Sequence, residues 1–584
     1  MQSFGDPKKL VLFRYGLLAL LVTLVYAGTL NHGFVWDDRQ IIVQNPLLQS
    51  MGNIPRLFLS EDTAIGYTGY YRPVTYLSFL MDRAVWGVNP TGYHLTNLVL
   101  HICAVLLFHA VTAALFGRQR LALAAALLFA LHPVAGETVN FLSGGRNTLL
   151  AACFTLASLL FYIRKKRIAA LAFFTVAIFS KEFALLLPSV LLFYDCRIRR
   201  ESIRLSSYLP YLVPIAGYLT LRSLAVHQAN FLSRINLTDA LAAPYLVVRY
   251  LVNLAAPFQL KVLYDLHPGA LASMLCLGVI AAVTVGLYLL RKNDALLFGA
   301  FWFFLFLLPV INIIPLEQSA LMADRYAYFS LMGFAISLAA VACVRPGRGA
   351  TVAVAALCAV YCVVSFQRNS AWQNERNFFT RMTIDAPEKF DGFQNLGMLH
   401  YKQGDIAGAL PHLSAALSKP GMPAMFLIGS ASVFWKENLL DKAESSLLRA
   451  LQLDPANPEP YLMLITLYEA SGRDALARQY RAKTEGLFGG AARMMQSRNA
   501  ALCREGEAYL ARQQYLPAEN VFWQALMSDP AYVPALIGMA ELSAGRGDWA
   551  GAVSYLNRAI AIEPSNNRAR YALSRLYRMQ GLGK

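Results

Sequence analysis

"IAALAFFTVAIFSKEFALLLPSVLLFYD", residues 168–195, is an apolar run long enough to cross a membrane, but it breaks in its middle. Ser180-Lys181-Glu182 divides it into halves of about 13 residues, each short of the roughly 20 apolar residues that a bilayer crossing takes. "RKKR" precedes it at 164–167 and "RIRR" follows it at 197–200. Basic loops stay on the cytoplasmic side of a membrane, so both flanks belong to one face. The segment therefore enters and returns as a helical hairpin or broken helix, carrying Lys181 and Glu182 at its tip.

Working outward, the whole chain shares this character. Its 584 residues are 57% hydrophobic and 15% charged, and the mean hydropathy is +0.42, too apolar for a soluble protein. A formal net charge of +17 raises nucleic acid as a partner, but the Lys and Arg residues fall in short clusters between apolar runs. Membrane topology explains that placement, and no nucleic-acid partner is expected. Of eight cysteines, six (Cys103, Cys153, Cys276, Cys343, Cys358 and Cys362) lie inside apolar segments, without a CxxC pair or zinc-type His spacing. They read as small apolar core residues.

Spans are expected over 10–30, 93–116, 121–141, 147–163, 205–226, 269–290, 295–315, 326–343 and 350–366. With these, Lys8/Lys9, Arg118/Arg120, 164–167, 197–200, Arg291/Lys292 and Arg345/Arg348 are all cytoplasmic at once, provided that 227–268 is an outer-face amphipathic loop rather than a span. The first run exceeds the usual apolar core of a signal peptide and reads as an uncleaved anchor. The first outer loop, 31–92, and everything after 366 then face outward, with 367–384 as a linker.

From about residue 385 the composition turns soluble and repeats itself every 34 residues. Ala409, Ala443 and Ala477 recur at that period, followed after a seven-residue insertion by Ala518 and Ala552. Four of the five are followed seven residues later by Ala416, Ala450, Ala525 and Ala559, and Pro455, Pro530 and Pro564 close repeats. This is the tetratricopeptide signature. Residues 385–584 are expected to hold five repeats and a polar capping helix, "NRARYALSRLYR", forming an α-solenoid that holds an extended peptide. The fold class is therefore all-α, a polytopic membrane domain over 1–366 followed by a solenoid.

Charged side chains in or beside a bilayer are costly and point to function. The outer side gathers Asp37, Asp38, Arg72, His132, Glu137, Arg146, Glu317, Asp324 and Arg325, and the tip brings Lys181 and Glu182. Such a set suits group transfer from a lipid-linked phosphate donor. A phosphate leaves as a stable anion, so one carboxylate suffices as general base, whereas glycoside hydrolysis needs a second carboxyl to protonate the leaving oxygen. Fixed cations stabilise the departing phosphate. Asp37, at the end of the first span, stands where that base is needed.

The series "GFVWDDRQIIVQNP", "YYRPVTYLSF", "GYHLTNLVLHICAVLLF", "LFALHPVAGETVNFLSGGRNTLLA", "FSKEFALLLPSVLLFYD" and "ADRYAYFSLMGF", followed by the repeats, resembles the transmembrane and tetratricopeptide-repeat-containing protein O-mannosyltransferases and their bacterial relatives. The similarity runs in order along nearly the whole chain. It implies a GT-C-type fold that transfers a monosaccharide, typically mannose, with inversion from a polyprenyl- or dolichyl-phosphate donor to Ser or Thr hydroxyls on the non-cytoplasmic side. Carried over by residue, it implies Asp37 and Asp38 as the catalytic acidic pair with Asp37 as base. The family's motifs also fall on His132, Glu137, Arg146, Lys181, Glu182, Arg325 and Tyr326, and with Arg72 these are expected to bind the donor phosphate and sugar; by their charge, Arg146, Lys181 and Arg325 are assigned to phosphate and Glu137 and Glu182 to orienting cations or sugar. Asp324 stands where the family usually has Glu, and Ala135-Gly136 replaces a more polar His-Thr pair. No cofactor is expected beyond the lipid-linked sugar as co-substrate, and no metal, a divalent ion on the acidic motif being the alternative. The short repeat array favours a bacterial inner membrane with periplasmic repeats, the alternative being the endoplasmic reticulum with lumenal repeats. Rival readings are a lipid or polysaccharide acceptor, or a non-catalytic scaffold whose repeats assemble partners.

Overall fold

The computed structural model describes residues 7–59, 70–225, 241–311, 321–344, 347–488, 491–511 and 515–579. All regular structure among them is helical, in two compact units, Met1–Pro387 and Glu388–Lys584.

In the first unit the interrupted segment folds as helix Arg167–Ser180, a turn at Glu182–Leu186 and helix Leu187–Phe193. Lys181 between them is extended (φ −160°, ψ 138°). The two ends of this segment meet. Tyr162 and Tyr208 hydroxyls both donate to the Asp195 carboxylate, and the Arg167 guanidinium lies 3.7 Å over the Tyr162 ring. Other basic loops join at this end: Arg197 pairs with Asp294 at 2.9 Å, and Arg118 donates to the Cys343 carbonyl. The break at Lys181 lies at the far end, as the flanking charges require.

Among the described residues six helices are long and apolar enough to cross a membrane: Lys9–Asn31, Pro90–Phe116, Leu142–Ile163, Ala270–Leu289, Asp324–Ala342 and Arg348–Trp372. The chain is thus a multi-pass membrane protein, and the expected spans 205–226 and 295–315 correspond to the shorter helices Leu209–Ala225 and Asp294–Leu307 among the described residues. The expected span 121–141 is a helix only to Leu131. Pro133 holds His132 extended (ψ 129°), and the chain resumes as short helix Ala135–Asn140 before Leu142–Ile163. Helices Asp294–Leu307 and Tyr328–Ala342 pack backbone to backbone, so that a Cβ on Gly333 would lie 2.4 Å from the Gly299 carbonyl oxygen.

Within the expected outer loop 227–268, helix Ala243–Ala255 buries Leu246, Tyr250, Asn253 and Leu254 against the bundle. Residues 226–240 lie outside the described residues. The expected linker 367–384 is a correction. Ser370–Trp372 and helix Glu375–Asp385 form part of the first unit, with Trp372, Phe378 and Met382 buried. Trp372 packs on Phe141 and Phe378 on Trp36, while Asp385 accepts from the Val262 N–H at 2.8 Å. A fall in hydropathy marks the end of a membrane span but not the end of burial.

The second unit is five helix pairs, Phe390–Lys402 with Ile406–Leu417, Ala424–Lys436 with Leu440–Leu453, Pro458–Ala470 with Asp474–Phe488, Ala491–Ala511 with Tyr515–Ser528, and Val533–Gly545 with Trp549–Ile562. Helix Asn567–Met579 closes it. All nine periodic alanines are buried, because small side chains let the paired helices approach. The seven-residue insertion is absorbed by the 21-residue helix Ala491–Ala511. Gly506 and Gly538 face the buried Phe522 ring, where an added Cβ would meet ring carbons at 2.5 and 2.3 Å. Gly506→Ala is therefore expected to destabilise this unit by about 1–3 kcal/mol through overpacking. Phe522→Leu should relieve part of that cost, and the coupling is read by a double-mutant cycle in thermal melts.

Candidate functional site

The acidic pair follows Trp36, whose φ of 51° is unusual for a bulky residue. Its ring is clamped between Phe141, stacked at 5.8 Å, and Phe378 at 5.6 Å. This turn gives the neighbouring carboxylates different surroundings. Asp38 is fully buried, and its oxygens accept from the Val35 N–H at 3.1 Å and the Ser143 N–H at 2.7 Å. It ties the outer loop to helix Leu142–Ile163. Asp37 has no side-chain hydrogen bond or ion pair among the described residues and is only half-buried. Burial pushes both acids up. Asp38 rises to about 7 despite its N–H bonds, and Asp37 rises against the opposing pull of the Arg325 guanidinium.

Arg325 acts on Asp37 and belongs, with Arg72 and Lys181, to a group of cations from distant parts of the chain. Arg325 donates from its guanidinium to Glu137 at 2.5 Å and from its backbone N–H to the other Glu137 oxygen at 3.1 Å. Its second guanidinium nitrogen donates to the Tyr326 hydroxyl at 3.2 Å. Arg72 makes a two-pronged contact with Glu182, at 2.5 and 3.0 Å, so the residue before helix Pro73–Trp86 is fixed to the tip of the broken segment. Lys181 is 2% exposed, and its ammonium donates to the Thr148 hydroxyl at 2.8 Å without a carboxylate in contact. It lies 4.5 Å from the Phe183 ring centre and 5.7 Å from that of Tyr326. Arg72 and Arg325 each carry a carboxylate, whereas the buried Lys181 amine has only the Thr148 hydroxyl as a hydrogen-bond partner among the described residues.

Two residues expected on the donor are placed elsewhere. Arg146 is fully buried, pairing with Asp82 at 2.8 Å and donating to Asn97, Ser78 and the Tyr93 carbonyl. Its fork is filled by protein acceptors and joins helix Pro73–Trp86 and helix Pro90–Phe116 to helix Leu142–Ile163. His132 is also buried. Its Nδ1 accepts from the Val134 N–H and its Nε2 faces the Leu254 carbonyl at 2.9 Å, so it braces the break before Pro133. Asp324 is tied to Arg368 and accepts from the Tyr264 hydroxyl at 2.8 Å. Glu317 lies outside the described residues.

The sequence reading omits several members of this end. Tyr70 lies under Arg72, with the guanidinium carbon 4.0 Å from the ring centre. Thr148 meets Lys181, and Arg368 also donates to the Pro133 and Lys261 carbonyls. Arg368 had a signal, a charge in the last turn of an apolar helix; Tyr70 and Thr148 had none. Among the described residues no group of three or more His, Cys, Asp or Glu side chains could hold a metal ion. Of the acids at this end, Glu137, Glu182 and Asp324 are engaged by arginines.

A tetratricopeptide-repeat family model matches residues 395–458 and 537–583. The chain is similar to the protein O-mannosyl-transferase Tmtc1 of Drosophila melanogaster, at 35% identity over 144 residues, 24% of this chain and 17% of that protein. It is also similar to the protein O-mannosyl-transferase TMTC2 of Homo sapiens, at 34% over 145 residues, again 24% of this chain and 17% of that protein. The matches thus span less than a quarter of those relatives' length. Among solved structures, the tetratricopeptide-repeat protein YrrB is 20% identical, covering 33% of this chain and 96% of that one at a TM-score of 0.18.

Proposed function

We propose that the first unit is a glycosyltransferase that moves a monosaccharide, taken as mannose, from a polyprenyl-phosphate donor to Ser or Thr hydroxyls of polypeptides. The observation that carries this reading is a carboxylate, Asp37, without a side-chain partner among the described residues and under the field of Arg325, whose neighbours are Arg72 and Lys181, at the end away from the basic loops. The naming of relatives as protein O-mannosyl-transferases supports the acceptor and sugar.

In a single displacement, the acceptor oxygen forms a bond to the anomeric carbon and its proton passes to Asp37. The bond from that carbon to the phosphate oxygen breaks, and its electron pair leaves with the lipid phosphate. Lys181, lacking a carboxylate in contact, meets that charge most directly, while Glu137 and Glu182 hold Arg325 and Arg72 in register. Attack opposite to departure inverts the anomeric configuration. The electropositive loops lie at the other end, which on the positive-inside rule supports a site on the non-cytoplasmic side.

The test is to incubate purified protein with polyprenyl-phosphate mannose and a Ser/Thr peptide, and to follow the peptide by mass spectrometry. Mannosylated peptide is expected, with inverted linkage. Unmodified peptide alongside sugar on a lipid or polysaccharide would move the acceptor class, and no transfer at all would favour the scaffold. The base must be deprotonated to act, and burial raises Asp37. The acid limb of kcat/KM is therefore expected above the pH at which an exposed aspartate titrates, near 4, with activity falling as pH drops through it.

A further inference from the structure

In the second unit the array turns back on itself, so that repeats one and two meet repeats four and five. Tyr401, on the first helix of repeat one, approaches Trp523 of repeat four with ring centres 6.3 Å apart. Lys436, at the end of the first helix of repeat two, points its ammonium at both Tyr401 (5.0 Å) and Tyr555 of repeat five (5.5 Å). Arg558, one turn beyond Tyr555, reaches the same place and donates to the Pro530 carbonyl at 3.3 Å. Four repeats thus contribute to one cluster of two cations and three aromatic rings.

The charges in this cluster do not balance. Lys436 has no hydrogen bond or ion pair among the described residues. Burial and the nearby Arg558 lower its pKa to about 8, and the pull of Glu437 is weaker than that repulsion. Burial lowers Arg558 as well, opposed by Tyr401, Tyr555 and Glu437. Glu437 acts on both cations but forms an ion pair with neither, and Glu519, beside Tyr555, is held by Arg546 at 2.8 Å. Two partly buried cations without a counter-ion in contact among the described residues disfavour the folded unit by themselves. An anion between them would remove that penalty, and the rings around them exclude competing water.

We propose that Lys436 and Arg558, framed by Tyr401, Trp523 and Tyr555, form a carboxylate-binding clamp by which the repeats hold an acidic polypeptide segment. The clamp uses side-chain charge to select acidic segments, and it does not depend on what the membrane unit transfers. In the free protein ring faces hold Lys436 and the Pro530 carbonyl takes one Arg558 hydrogen bond, so an incoming carboxylate adds charge-assisted hydrogen bonds to both cations.

The test uses the full chain in detergent and rhodamine-labelled short Gly/Ser/Glu peptides with amidated C-termini, followed by fluorescence anisotropy. The matched peptide has Gln for Glu and a free C-terminal carboxylate, which separates side-chain from terminal recognition. The Glu peptide is expected to bind at least about tenfold more tightly, a difference of about 1.4 kcal/mol. Its affinity should fall as salt is raised. The double variant Lys436→Met, Arg558→Met should lose the difference. Parent protein gives a second readout that needs no variant: as Lys436 loses its proton above about pH 8, Glu-peptide affinity should fall between pH 7 and 9. Equal binding of the two peptides, tighter binding of the Gln peptide, a double variant that melts like the parent and still prefers Glu, or a flat pH response would each overturn the clamp.

Discussion

Asp37→Asn is expected to lower sugar transfer by about a hundred- to ten-thousand-fold while leaving the amount of folded protein in the membrane unchanged. The asparagine keeps the size of the side chain but cannot take the acceptor's proton. Nothing in the fold should notice the change, because the Asp37 side chain has no hydrogen-bond or ion-pair partner among the described residues. The neighbouring substitution is expected to behave in the opposite way. Asp38→Asn presents an NH2 group to one of the two N–H donors of Val35 and Ser143, and so loses an acceptor where both donors are buried. The cost is about 1–3 kcal/mol of stability. Glycopeptide mass spectrometry of exported proteins, alongside thermal melts in detergent, separates the two. Normal transfer by a well-expressed Asp37→Asn protein would remove Asp37 from the reaction. A loss of Asp37→Asn protein from the membrane would make it a structural residue instead.

The second large effect is at Arg146. Arg146→Met is expected to cost about 3–5 kcal/mol, because Asp82 is then left as a buried carboxylate without its partner. Asn97 and the Tyr93 carbonyl lose their donor in the same step. The expected result is a sharp fall in folded protein and in melting temperature, with part of the loss restored by adding Asp82→Leu. A donor-phosphate ligand would behave differently: the variant would accumulate and melt normally, and only transfer would fall. Thermal melts with and without the second substitution therefore distinguish a structural knot from a binding residue.

These contrasts mark where the sequence is informative. A charge placed among apolar residues can be recognised from local composition, and Arg72, Lys181, Glu182, Glu137 and Arg325 do converge on one end of the bundle. Which charges are already neutralised cannot be recognised that way, because the partners are far apart in the chain. Arg146 and Lys181 look alike as buried cations after a polar break. One is surrounded by acceptors from two other helices, and the other has a single hydroxyl. His132 likewise stands in an apolar, helix-breaking setting, but its partner is Leu254.

By itself the sequence determined the features that local periodicity and transfer free energy dictate. Those are the membrane character, the broken segment whose ends share the basic face, and the 34-residue repeat whose alanines are buried at each helix pairing. Apolar length and repeat spacing act along the chain, so they are readable without a fold. Only the tertiary structure decided that 121–141 bends at Pro133, that 367–384 packs under Trp36 and Phe141, and that Asp38 is bonded while Asp37 has no side-chain hydrogen bond among the described residues. It alone brought Lys436 beside Tyr555, across three repeats. Each of these outcomes depends on a partner distant in sequence, and hydrogen bonding and ion pairing in a low-dielectric interior are set by that partner rather than by the residue's own neighbours.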